Sequence, residues 1–332
     1  MYQNVIIMKN RILGLGLSVL FFASCTGQLN WISPEPKGDP VARHENCFLE
    51  CKGKFYLAGG RGIKPVNIYD PASNTWTDGT KPPIELHHFQ AVSYKDKIWM
   101  VGVMTGKYPN EVPVPNIYIY DPATDSWETG DEVPADRQRG SSGVVIYKDK
   151  FYIVCGIADG HNGDHKTWVD TYDPGTGRWE ILPDAPNTRD HFHAVVIKNK
   201  IYAAGGRNTS KNTNQVFDLV IPEVDVFDLK KQTWETLPES SNLPTLRAGT
   251  SAVNFKGNLL VIGGESMAHK EAHNEVEALD PKTGIWEPKT SLNRGRHGTQ
   301  AVVYKGKIYT ASGSGNRGGG PELKTIEIAS FE

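Results

Sequence analysis

The chain has 332 residues, with 36 Lys plus Arg against 38 Asp plus Glu and a formal charge of −2, so it carries no excess of basic residues of the kind nucleic acid needs. Hydrophobic residues make up 38% and charged residues 22%, which excludes a disordered chain. Its 34 Gly, 21 Pro, 13 Tyr, 11 Phe and 8 Trp point to many short strands joined by turns and argue against long helices.

The first element is a targeting segment. Lys9 and Arg11 precede an apolar run from Ile12 to Ala23, and no acid occurs before Glu35. A basic start and a short apolar run form a secretory signal; spanning a bilayer takes about 20 apolar residues. The run ends Ala23-Ser24-Cys25, which resembles a bacterial lipoprotein signal, although Phe22 stands where a smaller aliphatic residue is usual. That resemblance implies removal of residues 1–24, acylation of Cys25, and a short tether over 25–30. It places the chain on the cell envelope, at the outer membrane or facing the periplasm. The other cysteines form no framework. Cys47 and Cys51 share one predicted strand, about 13 Å apart, too far for a disulfide. Cys155 lies elsewhere, so buried free thiols are expected.

From residue 31 onward the chain repeats. Lys54-Phe-Tyr-Leu-Ala-Gly59-Gly60 recurs as Lys97 to Val103, Lys150 to Gly156, Lys200 to Gly206, Asn258 to Gly264 and Lys307 to Gly313. The interval is about 50 residues. An Asp followed six residues later by Trp recurs as Asp70/Trp76, Asp121/Trp127, Asp173/Trp179, Asp228/Trp234 and Asp280/Trp286. Arg43, Arg139, Arg189, Arg247 and Arg296 each precede their doublet strand by a constant spacing, and Leu86 takes that place in the second repeat.

Glycine doublets, then an aromatic-Asp, then Trp at this period resemble the kelch repeat. The resemblance covers residues 31–332. It implies an all-β, six-bladed kelch-type β-propeller with four-stranded blades. Each repeat then reads as strands a to d, with b ending at the doublet, c at the Asp, and d carrying the Trp. The sixth repeat lacks its Trp, and Trp31 is unpaired. The N-terminal strand around Trp31 is therefore expected to close the last blade as its outer strand.

Strand alternation puts the constant a–b and c–d turns on one face and the d–a and b–c loops on the other. The b–c loops vary in length, and variable loops on a rigid scaffold are where binding usually resides. His44, His87, His88, His191, His193 and His297 lie at d–a entries; His161, His165, His269 and His273 lie in b–c loops. Arg43, Arg139, Arg189, Arg247 and Arg296 enter there too, with Glu45, Asp190 and Glu265. These residues, except His161, His193 and Glu265, are the expected ligand-binding set, together with Trp168 as a stacking platform. His161-x3-His165 and His269-x3-His273 have ligand-like spacing, but on a loop that spacing fixes no common face. A zinc site needs three or four converging ligands, so no metal and no cofactor is expected.

Secreted propellers of this family include sugar enzymes, namely galactose oxidase and the sialic acid mutarotase. The resemblance implies carbohydrate binding at the central mouth, with mutarotase- or epimerase-like chemistry and Glu265 as candidate acid/base. Galactose oxidase takes a copper ligand from a further C-terminal domain; no sequence follows the sixth repeat, so copper-radical chemistry is not expected. The alternative is a non-catalytic scaffold for a protein partner, and fold alone does not choose between them.

Overall fold

The computed structural model describes Met1 and residues 28–331. Residues 1–24 and Cys25 of the expected signal and lipid site lie outside the described residues, apart from Met1. Among the described residues no helix is long and apolar enough to cross a membrane.

Each repeat folds as a meander because its two kinds of tight turn are written into it. In five blades the a–b hairpin has positive φ at both turn residues, as at Lys52-Gly53 and Lys148-Asp149. That is the primed turn that matches strand twist. At the c–d turn the Asp side chain accepts from the backbone N–H two residues on, as Asp70 does from Ala72 and Asp280 from Lys282. This Asx turn explains why Asp recurs there. The result is six four-stranded antiparallel sheets, five of them in sequence order and the sixth completed by the N-terminal strand. The first contains Asn46–Cys51, Lys54–Gly59, Asn67–Asp70 and Thr75–Asp78. The sixth contains Ala301–Tyr304, Lys307–Ala311 and Ile326–Phe331. Its outer strand is Leu29–Ile32, antiparallel to Ile326–Phe331 with Trp31 opposite Ala329. The N-terminal strand thus closes the ring as expected, and it begins at Leu29, inside the stretch read as tether.

The core is six apolar clusters, one between each pair of neighbouring blades. Every marker Trp packs toward the preceding blade. Trp234 and Trp286 donate to Pro183 O and Ser241 O, and Trp31 donates to Thr290 O at 2.9 Å. Trp31 therefore does for the sixth blade what the recurring Trp does for the others. The doublet glycines permit close approach: a Cβ on Gly59 (φ +73°) would lie 2.6 Å from Leu86 O of the next blade. Cys47, Cys51 and Cys155 are buried and free. Burial pushes the Cys47 and Cys155 thiols up to about 12, so they stay protonated.

Inner strands of all six blades line a channel of about 320 Å³ opening on the tight-turn side. Toward the other face, Gln90 and Gln300 bridge inner strands. Gln90 Oε1 accepts from Val144 N and Ala194 N, and Gln300 Oε1 accepts from Ala91 N.

Candidate functional site

The recurring arginines are fasteners of each blade. Arg43, Arg139, Arg189, Arg247 and Arg296 are all buried. Each donates to the carbonyl of the first doublet residue: Gly59, Cys155, Gly205, Gly263 and Ser312. Four of them pair with an acid in strand c: Asp170, Asp225, Glu277 and Glu327. Arg43 meets Asn67 Oδ1 instead. In the second blade Leu86 and Tyr118 occupy the corresponding places and are buried together. None of the five arginines lines the mouth cavity. Their expected ligand role is corrected here: a residue used once per blade satisfies that blade's own backbone carbonyls.

Two residues beyond each of these positions the chain turns onto the axis. Glu45, His88, Ser141, His191, Gly249 and Gly298 all have φ between 52° and 62°. Their backbones are linked around the axis: His88 N donates to Glu45 O, Ser141 N to His88 O, Gly249 N to His191 O and Gly298 N to Gly249 O. This ring encloses a small axial cavity of about 30 Å³. His193 lines it, and burial pulls its imidazole down to about 4.

Above the ring lies the mouth cavity, about 310 Å³. Its wall includes His44, Glu45, His88 and His297 from the entries, and Arg61, Arg207 and Glu265 from positions directly after the doublets. The b–c loops add Tyr108, His161, Val216 and Phe217. Two of those loops carry small hairpins, Met104–Thr105 with Val112–Pro113 and Ile157–Asp159 with Gly163–His165. The tip of the second hairpin is pinned by its neighbours: His161 N donates to Pro109 O, and Lys211 N donates to His161 O.

Charges in the cavity are paired across blades. Arg207 Nη1 donates to Glu265 Oε1 at 2.5 Å, and Arg61 Nη2 donates to Glu111 Oε1 at 2.5 Å. Glu265 Oε2 also accepts from Gly318 N and lies 3.3 Å from His297 Nε2. Burial alone would raise its pKa, but His297 and Arg207 outweigh it and hold the carboxyl at about 2. Glu265 is therefore a fixed anion that orients Arg207, which departs from the acid/base role expected of it. Glu111 is likewise held at about 2, against burial, by His161 and Arg61.

The remaining expected residues divide. His44, whose Nδ1 is 2.8 Å from Glu322 Oε1, His88, His297 and Glu45 line the mouth. His191 sits on the ring below it. His87 and Asp190 are buried behind the wall as supports. His165 turns to Asp190 Oδ2 at 3.2 Å and does not line the cavity. Trp168 is also absent from it. Arg137, Lys166 and Arg139 stand over its ring, at 4.3, 4.4 and 5.6 Å from the centroid, so cations already occupy the aromatic surface expected to stack on a sugar. His269 is exposed in the fifth b–c loop, and His273, bonded to Ser266 and Glu275, is buried at the start of strand c, and neither lines the mouth. Sequence reasoning missed Arg61, Arg207, Tyr108 and Phe217. The signal for the two arginines was their position directly after a doublet, the position that flagged Glu265.

Two groups have donor atoms within 4.8 Å of one another that could hold a cation: His88, His161 and His191, and His269, His273 and Glu275.

Comparisons with known proteins agree with this architecture. A family model described as the Attractin/LZTR1 beta-propeller matches residues 19–271. Kelch-like protein terF of Aspergillus terreus is 30% identical over 276 residues, covering 78% of this chain and 58% of that protein. Kelch-like protein 40 of Xenopus laevis is 26% identical over 216 residues, covering 62% of this chain and 33% of its own length. The chain thus spans about half or less of these curated relatives. The solved structure of YjhT superposes with a TM-score of 0.71 at 14% identity, over 87% of this chain and 95% of that one, a likeness of fold. Repeats, blades and matches together make the chain a member of the kelch-repeat β-propeller family.

Proposed function

We propose that this propeller binds a hydroxyl-rich sugar, neutral or carboxylated, in its mouth cavity. The observation that carries the reading is the cavity wall. Donors (Arg61, Arg207) and acceptors (Glu45, Glu265) share the wall of a space of about 310 Å³, within the range of small-ligand sites. Sugar hydroxyls both donate and accept, so such a wall satisfies them in either sense. Arg207 donates through Nε to Thr209 and through Nη1 to Glu265; its Nη2 makes no hydrogen bond among the described residues. Tyr108 and Phe217 supply aromatic faces at the same wall. Mutarotase- or epimerase-like proton transfer is the accompanying chemistry. Its base would be a wall imidazole, because Glu265 is occupied by Arg207. The envelope anchor at Cys25 belongs to the same reading: a surface-held binder for a sugar.

The second reading is a scaffold for a protein partner. It is favoured by exposed apolar side chains on the b–c loops: Ile63, Tyr108, Val112, Leu219 and Met267. A saccharide screen by calorimetry decides between them. Sugar binding weakened about 10- to 100-fold by Arg61→Ala or Phe217→Ala, but not by the turn variants Asp149→Ala and Asn199→Ala, supports the first. Absence of any saccharide ligand, with a partner captured through Met267 and Leu219, supports the second.

A further inference from the structure

Three imidazoles at the floor of the mouth have their protons assigned by their neighbours. His87 Nε2 lies 3.0 Å from Gly106 O, which only accepts, so His87 carries its proton there. Its Nδ1 is then a lone pair, 2.7 Å from His88 Nδ1. His88 must donate through Nδ1, which leaves His88 Nε2 bare. His161 Nδ1 faces Glu111 Oε2 at 2.9 Å, and His191 Nδ1 faces Asp190 Oδ1. Both carboxylates accept, so each ring directs an Nδ1–H to its carboxylate and presents Nε2 on its other side. Nε2 of His191 is buried with no hydrogen-bond partner.

The three rings are neighbours. Centroids are 5.2 Å apart for His88 and His161, 4.9 Å for His88 and His191, and 5.1 Å for His161 and His191. Their ligand atoms all lie within 4.8 Å of one another. Nε2 of His191 is buried without a donor, while His88, whose Nε2 lies 3.6 Å from Glu45 Oε2, and His161 face the mouth cavity beside it; a cation held by the three rings would satisfy that orphaned lone pair. The surrounding charge points the same way. Glu45, Glu111, Asp190 and Glu265 stand against Arg61 and Arg207, two negative charges in excess. A carboxylate on Nδ1, as on His161 and His191, is the usual partner of a metal-bound imidazole.

We propose that His88, His161 and His191 form a three-imidazole site for a divalent transition metal ion, of the zinc or copper class, at the floor of the mouth cavity. Imidazole sets select this class over magnesium or calcium. Metal–nitrogen bonds of about 2.0–2.1 Å need nitrogens about 3.3 Å apart, so the rings draw inward on the ion. His88 and His161 also line the cavity above. A fourth coordination position therefore opens toward whatever occupies the mouth, the arrangement of catalytic rather than closed structural sites. The site goes beyond the sugar reading and stands without it, since its ligand is the ion alone.

The test is titration of the chelator-stripped full chain with Zn²⁺, read by calorimetry, and with Co²⁺, read by its visible absorption. One ion per chain with a tetrahedral or five-coordinate Co²⁺ spectrum is expected. His161→Ala should weaken binding about 100-fold or more. Glu111→Gln, which alters the carboxylate on His161 Nδ1, keeps all three ligands and guards against misfolding, should weaken it about 10- to 100-fold. His269→Ala should leave it unchanged. No stoichiometric binding overturns the proposal. So does binding that survives His161→Ala and is lost in His269→Ala, which would move the ion to the fifth-blade loop.

Discussion

Replacing Arg189 by Ala separates a fastener from a ligand contact. The guanidinium donates to Gly205 O, Glu223 O and Asp225 Oδ2, at 2.9, 3.2 and 2.6 Å. Both members of the ion pair are 0% exposed. Removing one partner of such a pair strands the other charge and costs about 3–5 kcal/mol. Unfolding about 300 residues has an entropy near 0.6 kcal/mol/K, so Tm should fall about 5–8 °C. The second blade supplies the compensating design, since Leu86 and Tyr118 fill the same two places. The double variant Arg189→Leu with Asp225→Tyr should therefore recover more than half of the loss. Scanning calorimetry reads both. Below its transition, Arg189→Ala should bind sugar and metal as wild type does. A variant that melts within about 2 °C of wild type yet loses ligand would refute the reasoning and return the entry arginines to the site.

Trp31→Ala should cost about 3–5 kcal/mol by denaturant unfolding, since it empties the interface between the last two blades and removes the Thr290 bond; an unchanged midpoint would deny the closure. Gly160→Ala should abolish metal binding with little change in Tm, because φ is +50° and the added Cβ would lie 2.4 Å from Pro109 O, beside His161; intact binding would show that the hairpin tip has room. Acid stability should fall in two stages. His193 sits at about 4 in the folded chain against an ordinary 6.5, so between those pH values only the unfolded chain gains that proton, and stability drops as pH falls. Glu111 and Glu265 sit at about 2 against 4.5, so their contribution is full above 4.5 and is lost as pH falls toward 2. His193→Gln should flatten the upper stage and Glu111→Gln the lower one in Tm measured against pH. Intact-mass analysis of the membrane fraction should find an acylated Cys25 at the mature N-terminus; an unmodified start elsewhere would exclude the anchor.

The blades were legible because each repeat encodes its own turns. Asp70 and its equivalents make the c–d turn locally, and the doublets mark where neighbouring backbones touch. Trp31 was assignable because five other Trp residues had defined its role. The site was legible only as a face. Repetition misled at the arginines: Arg43, Arg139, Arg189, Arg247 and Arg296 recur because every blade needs one, and a ligand contacts a ring of blades unequally. Arg207 and Glu265 share one repeat position yet carry opposite charges, and that divergence at a fixed position was the better guide. The histidine spacing was no guide to the cluster. His161 pairs in sequence with His165, but the hairpin sends His165 to Asp190 and brings His161 to His88 and His191 of the flanking blades. Such a cluster depends on ring closure, which no local window contains.

The most direct measurement is a crystal structure of the full chain grown with a saccharide identified by calorimetric screening. The account predicts electron density for the sugar in the mouth cavity, within hydrogen-bond distance of Arg61 or Arg207 and against Phe217 or Tyr108. Sugar density confined to the tight-turn face or the outer blade edges, with the mouth empty, would contradict it.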